Sequence, residues 1–199
     1  MKHLKFILLA FVLTTAFSCS KDDDSGEQDI HQLVENFVSP ELIASLNQLD
    51  YNFMDGNDQP DISGTFRFSK NILKATNIDP DYEIGTEFLA QTFTFSNLDP
   101  ESRTFDFSGV DDYGFTYGNA TDSFYSGNGN NFSAYVKIVA TMGDVELDLL
   151  FAISGTIAEG GIVNAESALL MLNNKGYSGY ISNGQGRLFL DEDGTAARQ

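Results

Sequence analysis

Hydrophobic and polar residues alternate along much of the chain beyond residue 60. The alternation is regular over 62–69, 89–95 and 103–108, where large apolar side chains are separated by small or polar ones. A period of two places successive side chains on opposite faces of a β-strand. We therefore predict strands with one face packed in a core and the other in water.

The longest alternating stretch predicts an antiparallel hairpin. Apolar stripes over 132–140 and 145–153 flank a Met-Gly-Asp turn at 142–144. We expect the opposite face to meet solvent because it carries charged residues, among them Lys137, Glu146 and Asp148. Further strands are predicted over 177–181 and 187–190, each after a glycine turn.

The segment 164–173 fits either a helix or a buried strand, because its periodicity does not separate the two. Ahead of the strands, the spacing of apolar residues becomes helical. Ser39 as N-cap and Pro40 at the first helical position form a start signal. We predict a helix from Pro40 to Leu49 and a weaker one before it, covering an open end or face of the sheet.

Strands joined by short turns favour antiparallel pairing over a parallel sheet. We predict a mainly β fold, either an antiparallel meander barrel or a sandwich, with a short N-terminal helical region. In size, in its helical start and in its run of strands, the chain resembles lipocalin-like barrels. It contains no Trp and so lacks their Gly-x-Trp signature. A resemblance at the level of the fold implies a barrel and does not determine the function.

The N-terminus has the three zones of a secretory signal peptide. Lys2 and Lys5 precede an apolar run over 6–13, and small residues lead to Cys19. The apolar run is shorter than the ~20 residues that a membrane-spanning helix needs. Because Cys19 is the only cysteine, no disulfide can form within the chain.

The sequence Ala16-Phe17-Ser18-Cys19 resembles a bacterial lipobox, and Ser20 to Asp24 resembles the acidic export tag of surface-exposed lipoproteins of the Bacteroidota. The resemblance implies that residues 1–18 are removed, that the cysteine is lipidated and that 19–28 form a tether. It implies an outer-membrane lipoprotein displayed on the cell surface. The alternatives are an ordinary signal peptide before a free thiol, and a charged run that only keeps the tether solvated.

The remaining residues, 29–199, suffice for a single β-rich domain with its own core. Loss of Lys2 and Lys5 lowers the formal net charge from −18 to −20. Nucleic acid and anionic lipid both require a basic face, so we expect neither as a partner of the domain. Contact with the membrane is expected through the lipid anchor alone.

Specific catalytic or metal-binding motifs are absent from the sequence. His31 is the only histidine beyond the signal peptide, which is too few for a histidine-rich zinc site or a catalytic triad. Acidic clusters at 55–61 and 191–194 resemble fragments of calcium loops, but neither completes the EF-hand pattern, and turns also favour Asp and Gly. Paired carboxylates leave a glycoside hydrolase open. We expect a non-enzymatic protein without cofactor or metal.

Aromatic residues interspersed with Gly, Ser and Asn over 113–132 resemble a recognition loop, in which rigid rings combine with adaptable hydrogen bonds. The candidate ligand-binding residues are Tyr113, Phe115, Tyr117, Phe124 and Tyr125. The alternative is two aromatic strands joined by a turn at 126–130, with their rings in the core. We expect a domain that binds an apolar or glycan ligand or a protein partner. The alternative is a structural or assembly lipoprotein of the outer envelope with no small-molecule ligand.

Overall fold

The computed structural model describes residues 29–199 as two helices followed by a strongly curled, open half-barrel sheet. The predicted mainly β fold with a short N-terminal helical region is confirmed. The predicted signal peptide, the lipobox-like sequence with Cys19 and the predicted tether lie outside the described residues. The elements are α1 (Ile30–Val38), α2 (Pro40–Gln48), β1 (Asn57–Asp58), β2 (Gly64–Phe68), β3 (Asn71–Thr76), β4 (Glu87–Phe88), β5 (Gln91–Asp99), β6 (Thr104–Asp111), β7 (Asn119–Asn128), β8 (Asn131–Met142), β9 (Val145–Ala158), β10 (Gly161–Asn173), β11 (Gly186–Asp191) and β12 (Thr195–Arg198).

Both helices begin at polar caps, of which Ser39 is the one predicted from the sequence. The Asp29 carboxylate accepts the His31 N–H at 3.0 Å, and the Ser39 hydroxyl accepts the Leu42 N–H at 3.5 Å. These bonds satisfy N–H groups that have no partner within the first helical turn. Ser39 has a φ of 85°, so the chain ends α1 and starts α2 at one sharp corner. The predicted start of the second helix is confirmed.

One continuous sheet contains all the described strands, and it forks at β10. The main path runs β1-β7-β8-β9-β10-β12-β2-β5-β6. The first residues of β10 pair with β12, and later residues pair with β11, which leads to β3 and β4. All pairings are antiparallel except the short one between β1 and β7. The predicted hairpin is confirmed as β8 and β9, which pair from Asn131 to Met142.

The concave side of the main path is packed with side chains. Its core contains rings from several strands, for example Phe93 against Phe151 with ring centroids 5.5 Å apart, and Phe95 against Phe105 at 5.4 Å. The segment 164–173 is a strand within β10, which decides between the two alternatives that its periodicity left open.

The helices cover the convex side of the sheet and create a second core. Val34, Val38, Leu46 and Leu49 pack there against residues of β8, β9 and β10, including Tyr135, Leu150, Ala152 and Leu170. The expectation that this face of the hairpin meets solvent is therefore wrong at its centre. The reason is that 149–153 is apolar at every position, so both faces of β9 are buried.

The strand predicted over 177–181 is also wrong, because this region is a series of turns between β10 and β11. Asparagine side chains bond to the backbone here in place of a neighbouring strand: Asn173 accepts the Lys175 N–H at 2.9 Å, and Asn174 accepts the Gly176 N–H at 3.0 Å. Such local bonds favour turns over strands.

No helix within residues 29–199 has the length and apolar character needed to cross a membrane.

Candidate functional site

The curled sheet stays open between β6 and β7, two strands that meet only near their ends. At one end the Tyr125 N–H donates to the Arg103 carbonyl at 3.0 Å. At the other, the Tyr117 N–H donates to the Gly109 carbonyl at 3.0 Å. Between these points the strands are not paired, and a cleft of about 550 Å³ opens. We call it the seam cleft; it is lined by Asn97, Thr104 to Ser108, and Gly118 to Ser123.

The two sides of the seam cleft have unequal lengths, which explains why they separate. Between its closed ends, β6 contributes residues 106–108, whereas the opposite side contributes 118–122. The longer side contains a register shift against β8 around Thr121, whose hydroxyl bonds to the Lys137 carbonyl at 3.2 Å. An extra residue on one strand bends that strand away from its neighbour.

Gly118 makes the turn into this longer side. Its φ is +95°, and a Cβ atom there would lie 2.1 Å from the Val139 carbonyl oxygen. Both facts exclude a residue with a side chain without local rearrangement. The shape of the seam cleft is therefore encoded in a glycine and an inserted residue.

Ser123 closes one end of the seam cleft with its side chain. Its hydroxyl donates to the Phe105 carbonyl at 2.6 Å and accepts the Phe105 N–H at 2.9 Å. Both residues are buried. One hydroxyl thus satisfies two backbone groups that would otherwise pair with a neighbouring strand.

Polar groups dominate the lining of the seam cleft. Asp106 accepts a hydrogen bond from the Asn97 amide at 2.6 Å, and Asp122 accepts one from the Ser123 N–H at 3.0 Å. Both aspartates are exposed, and none of the described lining residues is Lys, Arg or His. A site with carboxylates and no base favours a ligand that donates hydrogen bonds or bears positive charge.

A backbone edge also faces the seam cleft. The backbone groups of Phe105 and the carbonyl of Gly109 point toward β7. Alternate residues of a strand direct their backbone groups to the same side, so the N–H and C=O of Phe107 point toward β7 as well. On its other side β6 is paired with β5. Among the described strands, the edge at Phe107 therefore has no partner.

The five aromatic residues proposed from the sequence do not form one cluster. Tyr113 and Phe115 are exposed in the loop after β6, with 84% and 41% of their surface accessible. Tyr117 packs in the concave core against Phe151, with ring centroids 5.2 Å apart, and burial raises the pKa of its hydroxyl. The rings of Phe124 and Tyr125 lie on opposite faces of β7.

The rings of Phe124 and Tyr125 are separated because successive residues of a strand point to opposite faces of the sheet. Phe124 stacks on Phe37 of α1 with centroids 5.8 Å apart, whereas Tyr125 contacts Phe105 in the other core at 5.8 Å. The turn joining β7 to β8 lies at 128–131, so Ser126 and Gly127 of the predicted turn at 126–130 belong to β7. Two rings remain accessible, and both lie in the loop that closes one end of the seam cleft.

His31 and the acidic clusters have structural partners. His31 lies 3.7 Å from the Asp55 carboxylate, and Asp55 also accepts a hydrogen bond from Ser126 at 3.0 Å. Burial raises the pKa of Asp55, although its hydrogen bond with Ser126 opposes the shift. Asp191 accepts the Ser69 N–H at 2.7 Å. Within residues 29–199 no group of three potential ligands is arranged to hold a metal ion.

The other buried carboxylates are also engaged in structural contacts. Glu166 pairs with Lys74 at 2.8 Å and accepts the Asn52 N–H at 3.1 Å. Asp81 receives two nitrogens of the Arg187 guanidinium, and this contact lowers its pKa to about 2. Removing one partner of such a pair would leave a buried charge without compensation.

Comparisons with models of protein families, with curated proteins and with solved structures give no match for this chain. The residues that line the seam cleft were not identified from the sequence, although one signal was present. The polar run Gly118 to Asp122 interrupts the aromatic pattern between Tyr117 and Phe124, which is typical of a strand edge in contact with water.

Proposed function

We propose that this chain is a lipid-anchored, non-enzymatic binding protein of the cell surface, and that its ligand lies in the seam cleft. The opening between β6 and β7 is the main support: a polar cleft of about 550 Å³ where the sheet does not close. Ligand sites commonly have volumes of ~300–1,000 Å³. The anchor rests on the resemblance of residues 16–24 to a lipobox and export tag.

A polar ligand fits this structure better than an apolar one. Lipocalin-like barrels take apolar ligands into their interior, but in the described residues the concave side is occupied by a core of twenty buried side chains. The seam cleft instead offers carboxylates, amides and hydroxyls. Of the ligands expected from the sequence, a protein partner or a glycan remains in agreement with this lining.

The carboxylates of the seam cleft favour binding over hydrolysis. A glycosidase needs one carboxyl group kept protonated as a general acid, which burial in an apolar pocket achieves. Asp106 and Asp122 are both exposed to water. This exposure supports a role as hydrogen-bond acceptors for a ligand.

The proposal can be tested with a variant that blocks the seam cleft. Ala120 is an exposed lining residue, and Ala120→Trp places a large ring at the opening. Ala197→Trp is the matched control, because Ala197 is an exposed alanine of β12 outside the lining. The probes are a displayed library of random dodecapeptides and an array of glycans.

We expect the unaltered domain and the Ala197→Trp variant to retain the same peptides or glycans, and the Ala120→Trp variant to lose them. Equal retention by all three proteins would place binding outside the seam cleft. No retention by any of them would support the second candidate function, a structural envelope lipoprotein whose polar surfaces serve only for solvation.

A further inference from the structure

We infer that the seam cleft takes a short, extended segment of a partner protein that carries a Lys or Arg side chain. The inference rests on the proposed function and specifies the partner. Two separate features support it: the unpaired backbone edge at Phe107, and the carboxylates on both sides of the opening.

The backbone edge determines the shape of the partner. An unpaired strand edge is a template for another extended chain, which adds to the sheet through main-chain hydrogen bonds. Phe107 offers one N–H and one C=O toward the opening, as the bonds of Phe105 and Gly109 indicate. Three residues of β6, 106–108, span ~10 Å. The segment held in the opening is therefore about three residues long.

The carboxylates of the seam cleft determine which side chain the partner segment carries. Asp106 belongs to β6 and Asp122 to β7, so a cation in the opening has a carboxylate on either side. An ammonium or guanidinium group forms stronger hydrogen bonds with carboxylates than a neutral donor does. The tether of this same chain is an unsuitable occupant, because Asp22, Asp23 and Asp24 would add negative charge.

A glycan is less suited to the seam cleft than a protein segment. Sugars are commonly held by stacking on an accessible aromatic face, the same apolar contact that such rings supply elsewhere. Among the described lining residues the rings are those of Phe105 and Phe107. Phe105 is buried, and Phe107 packs inward on Phe93 and Phe151 with centroids 5.5 and 5.9 Å apart.

The test begins with peptides selected from the dodecapeptide library on the unaltered domain. Each selected peptide is synthesised in three forms: unchanged, with Lys and Arg replaced by norleucine, and with single N-methyl groups placed in turn along the backbone. Fluorescence anisotropy gives the affinity for the unaltered domain, for the double variant Asp106→Asn with Asp122→Asn, and for Glu159→Gln. Glu159 is the control because it is an exposed carboxylate in the turn between β9 and β10.

We expect the selected peptides to be rich in Lys or Arg, and norleucine replacement to weaken binding at least tenfold. N-methylation at one or two adjacent positions should weaken it by a similar factor, whereas methylation elsewhere should have no effect. The double variant should lose at least tenfold in affinity, and Glu159→Gln should equal the unaltered domain.

Four results would overturn the inference. Peptides that bind equally well with norleucine exclude the role of charge, and peptides that tolerate every N-methyl group exclude pairing with the edge. Glycans that bind in a manner blocked by Ala120→Trp, with no peptide selected, exclude a protein segment but leave the proposed function intact. If no probe is retained, both proposals fail together.

Discussion

Replacing Ser123 tests whether its hydroxyl stabilises the contact between β6 and β7 at one end of the seam cleft. In Ser123→Ala the N–H and C=O of Phe105 lose the partner that lies 2.9 and 2.6 Å away. Each hydrogen bond contributes ~1 kcal/mol net, and a buried group left without a partner costs ~1–3 kcal/mol. Because Phe105 is 5% and Ser123 7% exposed, water has little access to replace the hydroxyl. We therefore expect the free energy of unfolding to fall by about 2–4 kcal/mol.

Urea denaturation measures this change, with Ser167→Ala as the control. Within the described part of the chain, Ser167 is 1% exposed, and its buried hydroxyl has no hydrogen-bond partner. Its removal breaks no hydrogen bond and takes away a buried polar group without a partner, so the free energy of unfolding should stay the same or rise, by up to ~1–3 kcal/mol. Amide exchange at Phe105 should also become faster in Ser123→Ala alone. Equal stabilities of the two variants, together with unchanged exchange at Phe105, would refute the bridging role of Ser123.

Three further variants test other parts of the structure. The pKa of Asp81 is about 2 against an ordinary 3.8, so its carboxylate stabilises the fold above pH 3.8, and this contribution disappears as the pH falls through 2. The contribution is about 2 kcal/mol. In Asp81→Asn, urea denaturation should give a lower free energy of unfolding at pH 5 and a smaller change of that free energy between pH 4 and 2. Gly118→Ala should cost ~1–3 kcal/mol more than Gly114→Ala by urea denaturation, because both have positive φ but only Gly118 has a carbonyl in the way. Equal costs would contradict that contact. Cys19→Ala should move the protein from the membrane fraction to the soluble fraction after cell lysis, and continued membrane association would exclude the lipid anchor.

Local patterns predicted six of the twelve described strands, β2, β5, β6, β8, β9 and β11, because their chemistry is local. Alternation over 132–153 and the glycine turn at 143 are sufficient to specify a hairpin. Ser39 and Pro40 similarly specify the start of α2, since the cap and the fixed φ act on the first helical turn. Predictions of this kind need no knowledge of distant residues.

One wrong prediction concerns a face that distant segments cover, and the other concerns turns that local side-chain bonds favour over a strand. The convex face of β9 is buried because α1 and α2 cover Leu150 and Ala152. Alternation alone shows one apolar face, and the second depends on which helices lie against it. The turns at 174–184 depend on asparagine side chains that bond to the backbone, a preference that outweighs the β propensity of Tyr177 and Tyr180.

The seam cleft could not be predicted because it results from strand order. Asn97, Asp106 and Asp122 lie on three different strands, and they line one opening only after the sheet curls and β6 returns to β7. The aromatic residues were prominent in the sequence because of their type, yet Tyr117 and Tyr125 pack in the core. Residue type indicates what can bind, whereas the fold decides which groups remain accessible.

Hydrogen exchange at the Phe107 amide tests the central claim most directly. Tyr125 is the internal reference, because its N–H is already bonded to the Arg103 carbonyl at 3.0 Å. When a selected peptide saturates the domain, we expect exchange at Phe107 to slow at least tenfold while that at Tyr125 changes little. Unchanged exchange at Phe107 in the saturated complex would contradict binding at the open edge of β6.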